Sequence, residues 1–257
     1  MRKFAILLLA APLALAACGS SSEVQADPVA YVKHAAVKTA DLKSEHMELT
    51  GTIDAGSQTI SLQGSGDFAN HPAKGSSTLS MSGAGQSFGM KEVEAGNTVY
   101  VSFPALMEHL GSNKTWAKVD LAQLSKATHL SFLSQDPAQY FAQLEAAGSV
   151  KSLGTETVDG TETTRYQIPN LDLSKLPQVA RLAAQAHTKV GIDVWIGKSD
   201  GYVYRESVTV TASEGHQSAT FTGRVDFSKF NEPVTVNVPP ASETFDMSHL
   251  ANLGAGA

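Results

Sequence analysis

Residues 46–68 read HMELTGTIDAGSQTISLQGSGDF, and their alternation decides the fold class. Apolar and polar side chains alternate on either side of a turn signal at residues 54–56. A period of two places one set of side chains on each face of a strand. The stretch therefore predicts two antiparallel strands with one apolar and one wet face. The apolar set comprises Met47, Leu49, Ile53, Ile60, Leu62 and Phe68.

The same period continues through the rest of the chain. Three further strands are predicted before residue 103, and later hairpins turn at Asp159-Gly160 and Asp200-Gly201. Residues 218–230 and 234–238 alternate again, which gives roughly ten strands in antiparallel order. The apolar positions of the added strands include Leu79, Met81, Phe88, Met90, Val99, Val101 and Val208.

Helical patterns surround and interrupt these strands. Asp27 and Pro28 are typical of an N-cap and a first helical position, and the helix is expected to run to about residue 43. Shorter helices are predicted at 103–111, 120–134 and 136–148. Residues 174–190 form an amphipathic pattern with Leu182 on its apolar side, which predicts a cover helix. The fold class is therefore α+β, a strongly curved antiparallel sheet with helices over its concave apolar face.

Glycines share the apolar face of the first strands. Gly51, Gly64, Gly66 and Gly83 fall in register with the apolar side chains, and each removes volume from that face. One interpretation is that they only let the sheet coil. The other is that they leave a concave cavity for an acyl chain, which flexible methionines would suit.

The first eighteen residues are typical of a secretory signal that ends at a cysteine. Arg2 and Lys3 precede an apolar run at 4–16, which is too short for a comfortable membrane span. Residues 15–18, LAAC, resemble the lipobox of bacterial lipoproteins, in which the cysteine receives a diacylglyceryl group. We therefore interpret 1–17 as signal peptide and Cys18 as a membrane anchor, with a free structural cysteine as the alternative. Residues 19–26 are then a tether, 27–240 a single domain and 241–257 a flexible tail.

Composition excludes several function classes. The chain has 25 acidic and 19 basic residues, and loss of Arg2 and Lys3 takes the formal charge from −6 to −8. An acidic chain without basic clusters argues against nucleic acid as partner. Cys18 is the single cysteine, so no disulfide holds the domain. The eight histidines lack ligand spacing, and no nucleophile motif or phosphate loop is present, so we expect no enzyme, metal or cofactor.

Three segments carry a family resemblance: TWAKVDL at 115–121, DVWIGKSDGYVYR at 193–205 and VDFSKFNEPVTVNVPP at 225–240. Behind a lipobox and an N-terminal helix, they resemble the LppX/LprA/LprF/LprG family of actinobacterial lipoproteins. The resemblance implies an incomplete β-barrel similar to LolA and LolB, helices that plug one opening, and a cavity for acylated lipids. It also implies movement or presentation of lipids and glycolipids across the cell envelope.

The favoured hypothesis is therefore a lipid carrier at the outer face of the cell membrane, which exchanges its ligand with a membrane exporter or an envelope acceptor protein. The alternative is a structural or protein-binding envelope lipoprotein without a lipid ligand. Glu92, Glu94, Asp193 and the arginines at 165, 205 and 224 are expected on solvated strand faces, and Trp116 and Trp195 as packing residues. The predicted cavity lining comprises Met47, Leu49, Gly51, Ile53, Ile60, Leu62, Gly64, Gly66, Leu79, Met81, Phe88, Met90, Val99, Val101, Leu182 and Val208.

Overall fold

The computed structural model describes residues 27–70, 72–109, 111–121, 149–169, 188–214 and 217–247. The signal, Cys18, the tether, residues 248–257 and most of the helices predicted at 120–134, 136–148 and 174–190, with Leu182, lie outside these ranges. The described ends of two of these predicted helices are strand instead, because Asp120 ends one strand and Lys189 begins another. The described helices are α1 (Pro28–Ala40) and α2 (Pro104–His109), and a 3₁₀ turn spans Ala241–Glu243. The strands are β1 (Ser44–Ala55), β2 (Gln58–Asn70), β3 (Ala73–Gly83), β4 (Gln86–Ala95), β5 (Thr98–Ser102), β6 (Trp116–Asp120), β7 (Lys151–Val158), β8 (Thr161–Ile168), β9 (Lys189–Gly197), β10 (Val203–Glu214), β11 (Gln217–Ser228) and β12 (Thr244–Asp246).

All twelve described strands belong to one curved sheet in the order β12-β6-β5-β4-β3-β2-β1-β11-β10-β9-β8-β7. Neighbours pair antiparallel except β12, which runs parallel to β6. The two ends of this order do not meet, so the sheet is open and not closed into a barrel. The predicted α+β class and incomplete barrel are confirmed. No helix among the described residues is long and apolar enough to cross a membrane.

The C-terminal region differs from its prediction. Residues 234–238 alternate in sequence but lie outside any strand, whereas residues 244–246, assigned to a tail, pair with β6. The reason is that β11 already has β1 and β10 as neighbours, so a following strand has no free edge beside it. Prolines at 233, 239 and 240 also remove backbone donors from that segment.

Helix α1 begins as predicted and ends three residues early. The Asp27 carboxylate accepts hydrogen bonds from the backbone N–H of Val29 (3.0 Å) and Ala30 (3.2 Å), and Pro28 follows it. These contacts satisfy donors that the first turn of a helix leaves free. The buried side of α1 packs on the sheet at β8–β10 and forms the core there with Tyr166, Ile192, Val194, Ile196 and Val203.

Thr39 joins the end of α1 to the start of β10. A bulge between Val203 and Arg205 takes the Val203 N–H out of the regular ladder, and this N–H donates to Thr39 Oγ1 at 2.9 Å. The same hydroxyl donates to the Ala35 carbonyl at 2.8 Å. A buried donor is thereby satisfied, and α1 is fixed on the inner side of the sheet.

Candidate functional site

The strand register brings the predicted lining residues onto one face of the sheet. Leu49, Gly64, Leu79 and Met90 oppose one another in one row across β1–β4, and Gly51, Leu62, Met81 and Phe88 form the next row. We call this concave side the inner face. By the same register it also contains Met47, Ile53, Ile60, Gly66, Val99, Val101 and Val208.

One half of the inner face is closed by α1. Over β8–β10, which we call the packed half, Ile196 is 0% exposed and Val194 and Ile192 are buried. Tyr31 of α1 lies on Tyr166, with ring centroids 5.4 Å apart. Side chains here have the dense contacts of an ordinary protein core.

The other half, over β1–β4, is less buried, and we call it the open half. Leu49, Leu62 and Met81 are half-buried, whereas Ile60 is 38% and Phe88 is 44% exposed. Residues 55–66 and 75–90, which form most of β2 and β3, half of β4 and two turns, contain no charged side chain. Partly exposed apolar surface is more typical of binding sites than of a closed core.

The glycines of this face do not open a pocket at their own positions. A Cβ at Gly66 would lie 2.7 Å from the Phe68 ring and 2.8 Å from Ser77, and one at Gly64 would lie 2.8 Å from the Thr78 carbonyl. The space that a side chain would need is therefore already filled. Between the two interpretations of these glycines, the contacts favour close strand approach and coiling of the sheet.

Four carboxyl groups interrupt the apolar inner face. The register places Glu92 and Glu94 of β4 on this side, so their assignment to a solvated face is wrong. Glu45 of β1 and Glu206 of β10 also lie on the inner face, and the sequence pattern did not identify them. The alternation through Val208 and Val210 nevertheless places position 206 on the same face of β10. Burial raises the pKa of all four side chains, and the charge of Glu92 raises that of Glu94 further.

The opposite face carries the predicted arginines, and each has a carboxylate partner. Arg165 pairs with Asp193 (3.2 Å) and Glu156 (3.3 Å), while Arg205 and Arg224 pair with Asp226. Positive charge on this outer face is therefore largely neutralised within the sheet, as expected of solvated strand faces.

Trp195 lies at the centre of that outer network. It is 7% exposed, because the guanidinium carbons of Arg165 and Arg205 lie 4.9 Å and 5.9 Å from the centroid of its ring. Its indole N–H donates to Glu156 at 2.7 Å, and this bond together with Arg165 lowers the pKa of Glu156. Trp195 is thus a packing residue, as predicted, although it packs on the outer face.

Nothing in the described part of the chain resembles a metal site. No group of three His, Cys, Asp or Glu side chains there could hold an ion. His46, on the outer face, instead contacts Asp67 at 2.7 Å. The inner face carries apolar side chains and four carboxyl groups, of which Glu92 and Glu94 interact with each other.

The chain is similar to a known family of lipoproteins and to a known protein. The family model for LppX_LprAFG lipoproteins matches residues 27–236. An uncharacterized 31.2 kDa Streptomyces griseus protein from the rplA–rplJ intergenic region is 26% identical over 259 residues, which cover 90% of this chain and 82% of that protein.

Two solved structures are also similar to this chain. LppX from Mycobacterium tuberculosis aligns with a TM-score of 0.47 and 20% identity, over 81% of this chain and 97% of that one. LprF from Mycobacterium bovis aligns with a TM-score of 0.45 and 14% identity, over 83% of this chain and 97% of that one.

Proposed function

Because the chain belongs to the LppX_LprAFG lipoprotein family, we propose that it is an extracytoplasmic lipoprotein that binds acylated lipids or glycolipids on its inner face. The observation that carries the proposal is the open half, where apolar side chains on four successive strands remain partly exposed. Removing apolar surface from water yields roughly 25 cal/mol per Å², so covering this surface with acyl chains stabilises the complex.

The proposed role is to carry or present that lipid across the cell envelope, without making or breaking a bond. In this proposal Cys18 receives a diacylglyceryl group and holds the protein at the outer face of the membrane. Two acyl chains suffice for stable anchoring where one gives only marginal binding. A membrane exporter or an envelope acceptor would donate or receive the lipid.

Native mass spectrometry tests the proposal. The full chain carrying Cys18→Ala is used, so that no lipid of its own anchor is counted, and we expect co-purified lipid after gentle isolation. A fluorescent fatty acid should bind the same preparation, and an excess of unlabelled lipid should displace it. A homogeneous mass without lipid, together with no uptake of the fluorescent fatty acid, would support the structural or protein-binding alternative.

The structure changes how the cavity should be blocked. Substitution of Gly64 by Trp would place atoms against the Thr78 carbonyl and disturb the pairing of β2 with β3, so loss of uptake would not identify the site. Met81→Trp adds the same bulk to a half-buried inner-face position whose side chain already faces the ligand side. We expect it to reduce lipid uptake while the fold is retained, and Ser80→Trp on the outer face is the matched control.

A further inference from the structure

The tips of the β1–β2 and β3–β4 hairpins are exposed and uncharged. Residues 55–61 and 84–89 are exposed at every position and contain no Asp, Glu, Lys or Arg. They include two large apolar side chains, Ile60 at 38% and Phe88 at 44% exposure. We call residues 55–61 and 84–89 the rim. Exposed apolar side chains in a surface without charge are typical of contact with an apolar partner.

Both tips lie side by side at one end of the sheet. β2 and β3 pair from Ser61 and Ser82 onward, so the turns that border these residues project from the same edge. Ala55 opposes Ala219 of β11, and Ala219 opposes Ala212 near the end of β10. The rim therefore lies at the end of the sheet toward which β10 runs.

The opposite end of the same strands carries charge. Residues 43–48, 67–74 and 91–94 contain both acidic and basic side chains. Near the rim β1 has one charged residue, Asp54, whose carboxylate accepts from the Thr59 hydroxyl at 2.6 Å. Uncharged groups leave water at a much lower cost than charged groups do. The rim is therefore the end of β1–β4 that is suited to an apolar environment.

Helix α1 brings the N-terminal segment toward the same end. Near the end of the helix, Lys38 donates to the Asp200 carbonyl at 2.6 Å, in the turn between β9 and β10. Earlier in the helix, Tyr31 lies on Tyr166, at a level further along β10. The helix therefore runs opposite to β10, and Asp27 at its start lies toward the rim.

The segment between Asp27 and the proposed anchor is short. Residues 19–26 span at most about 29 Å even when fully extended. This reach is less than the length of β2, whose 13 residues measure about 44 Å. A lipid anchor on Cys18 therefore favours an orientation in which the rim, near the start of α1, faces the bilayer and the charged end points away.

We propose that the rim docks on the bilayer surface, with Ile60 and Phe88 inserted about 5–10 Å deep among the lipid headgroups. The inference rests on the anchored carrier proposed above and adds a contact surface and an orientation to it. Burial of apolar side chains drives the contact. Because the rim has no Lys or Arg, docking does not require the anionic lipids that attract basic segments.

Docking in this orientation places the open half next to the lipid surface. Phe88 opposes Met81, and Met81 opposes Leu62. Ile60 precedes Leu62 on the same face of β2, so the rim continues directly into the apolar rows of the inner face. A lipid that passes between the bilayer and the inner face therefore stays in contact with apolar surface.

The test uses two matched hairpin turns at opposite ends of the sheet. Gly56 and Gly96 have φ of 61° and 62°, and each is followed by an exposed residue, Ser57 at the rim and Asn97 at the charged end. Ser57→Cys or Asn97→Cys receives a thiol-reactive fluorophore in the lipidated full chain, in which the Cys18 thiol is blocked. The protein is placed on phosphatidylcholine vesicles that contain a nitroxide-headgroup lipid. We expect loss of fluorescence at position 57 and none at position 97.

A second pair of variants tests the apolar contact. Phe88→Ser should reduce the quenching at position 57, because it removes an inserted side chain. Leu153→Ser is the matched control, since Leu153 is 47% exposed but lies on β7 at the far edge of the sheet. Equal quenching at positions 57 and 97, or quenching at 57 that appears only with anionic lipid, overturns the proposal.

Failure of docking and failure of the carrier function differ in the uptake assay. Uptake of the fluorescent fatty acid together with equal quenching contradicts docking alone, whereas no uptake by the unaltered chain contradicts the carrier function. A chain that the vesicles do not retain overturns both the anchor and the docking. Hydrogen exchange on the chain without substitutions at the rim guards against an effect of the fluorophore. Amides at residues 84–87 should exchange more slowly on vesicles than in the Cys18→Ala chain in solution, and unchanged exchange there also overturns the proposal.

Discussion

The packed half and the open half lie on the same face of one sheet, yet they use apolar side chains differently. In the packed half α1 covers β8–β10, and Ile196 has no exposed surface. In the open half Leu62 is half-buried and Phe88 keeps 44% of its surface exposed. Alternation in the sequence is equally regular in both halves, so the pattern alone does not distinguish them.

The difference separates stability from binding. Apolar surface that a helix of the same chain covers contributes to folding, whereas partly exposed surface remains available to a ligand. Residues 55–66 and 75–90 carry no charge. Solvated strands of a stable domain normally carry charge on their solvent-facing side, so this absence also indicates surface that is available to a ligand. Substitutions in the two halves should therefore affect different measurements.

The largest expected effect is on stability in the packed half. Ile196→Ala should lower the free energy of unfolding by about 2–5 kcal/mol, because it leaves a cavity in a closed core. Leu62→Ala in the open half should cost about 1 kcal/mol, since a half-buried side chain loses only part of its burial. Urea unfolding measures both losses of stability. Equal losses would contradict the division of the inner face into a packed half and an open half.

Thr39→Val tests how α1 closes the packed half. The substitution leaves the Val203 N–H buried without an acceptor, so we expect a loss of about 1–3 kcal/mol. Lipid uptake by the folded variant should be unchanged, because Thr39 lies in the packed half. Thr50→Val, on the exposed face of β1, is the control and should alter neither quantity. A Thr39→Val chain with full stability would mean that another contact holds α1 in place.

Leu62→Asp tests the open half directly. A carboxylate among the apolar side chains of the open half should weaken binding of a fluorescent fatty acid about tenfold or more, since covering it with hydrocarbon removes its hydration. Gln63→Asp places the same charge on the exposed outer face one residue later and should leave affinity unchanged. Thermal unfolding verifies that both variants are folded, and equal affinities of the two would locate the ligand elsewhere.

The smallest expected effect is a dependence of stability on pH. Burial raises the folded-state pKa of Glu206, so the folded chain holds this proton to a higher pH than the unfolded chain does. Stability is therefore lost as the pH rises through the folded pKa, and little difference remains below the unfolded pKa. Glu206→Gln cannot ionise, so it should be the more stable chain at about pH 8, with the gap closing toward about pH 4.

Glu45, Glu92 and Glu94 also have raised pKa values and contribute to both stability curves. The difference in the free energy of unfolding between the unaltered chain and Glu206→Gln therefore reports the titration of Glu206 alone. A difference that stays constant between the two pH limits would show that Glu206 does not titrate in the expected direction.

Much of the fold could be predicted because each strand has one wet face. The period of two in β1–β5 gave the correct face for Met47, Leu49, Ile60 and Leu62, and the family resemblance is confirmed over residues 27–236. Their role as ligand contacts stays a prediction, as do the Cys18 anchor and Leu182.

The features that were not predicted depend on tertiary contacts, about which the periodicity of the sequence carries no information. Glutamates in a strand suggest a wet face, yet Glu92 and Glu206 face inward. The ring of Phe68 fills the space beside Gly66, which no spacing rule predicts. β12 has only three residues and no period of its own, so its pairing with β6 follows from the free edge that the other strands leave.

That parallel strand also has a consequence for the order of folding. Lys118 of β6 bonds to Asp246 of β12 at 3.3 Å, although the two residues are 128 positions apart in sequence. The β6 edge cannot be capped until residues 244–246 have been synthesised. Until then this edge presents unpaired backbone groups, and once β12 has paired with β6 it protects the edge from pairing with a second chain.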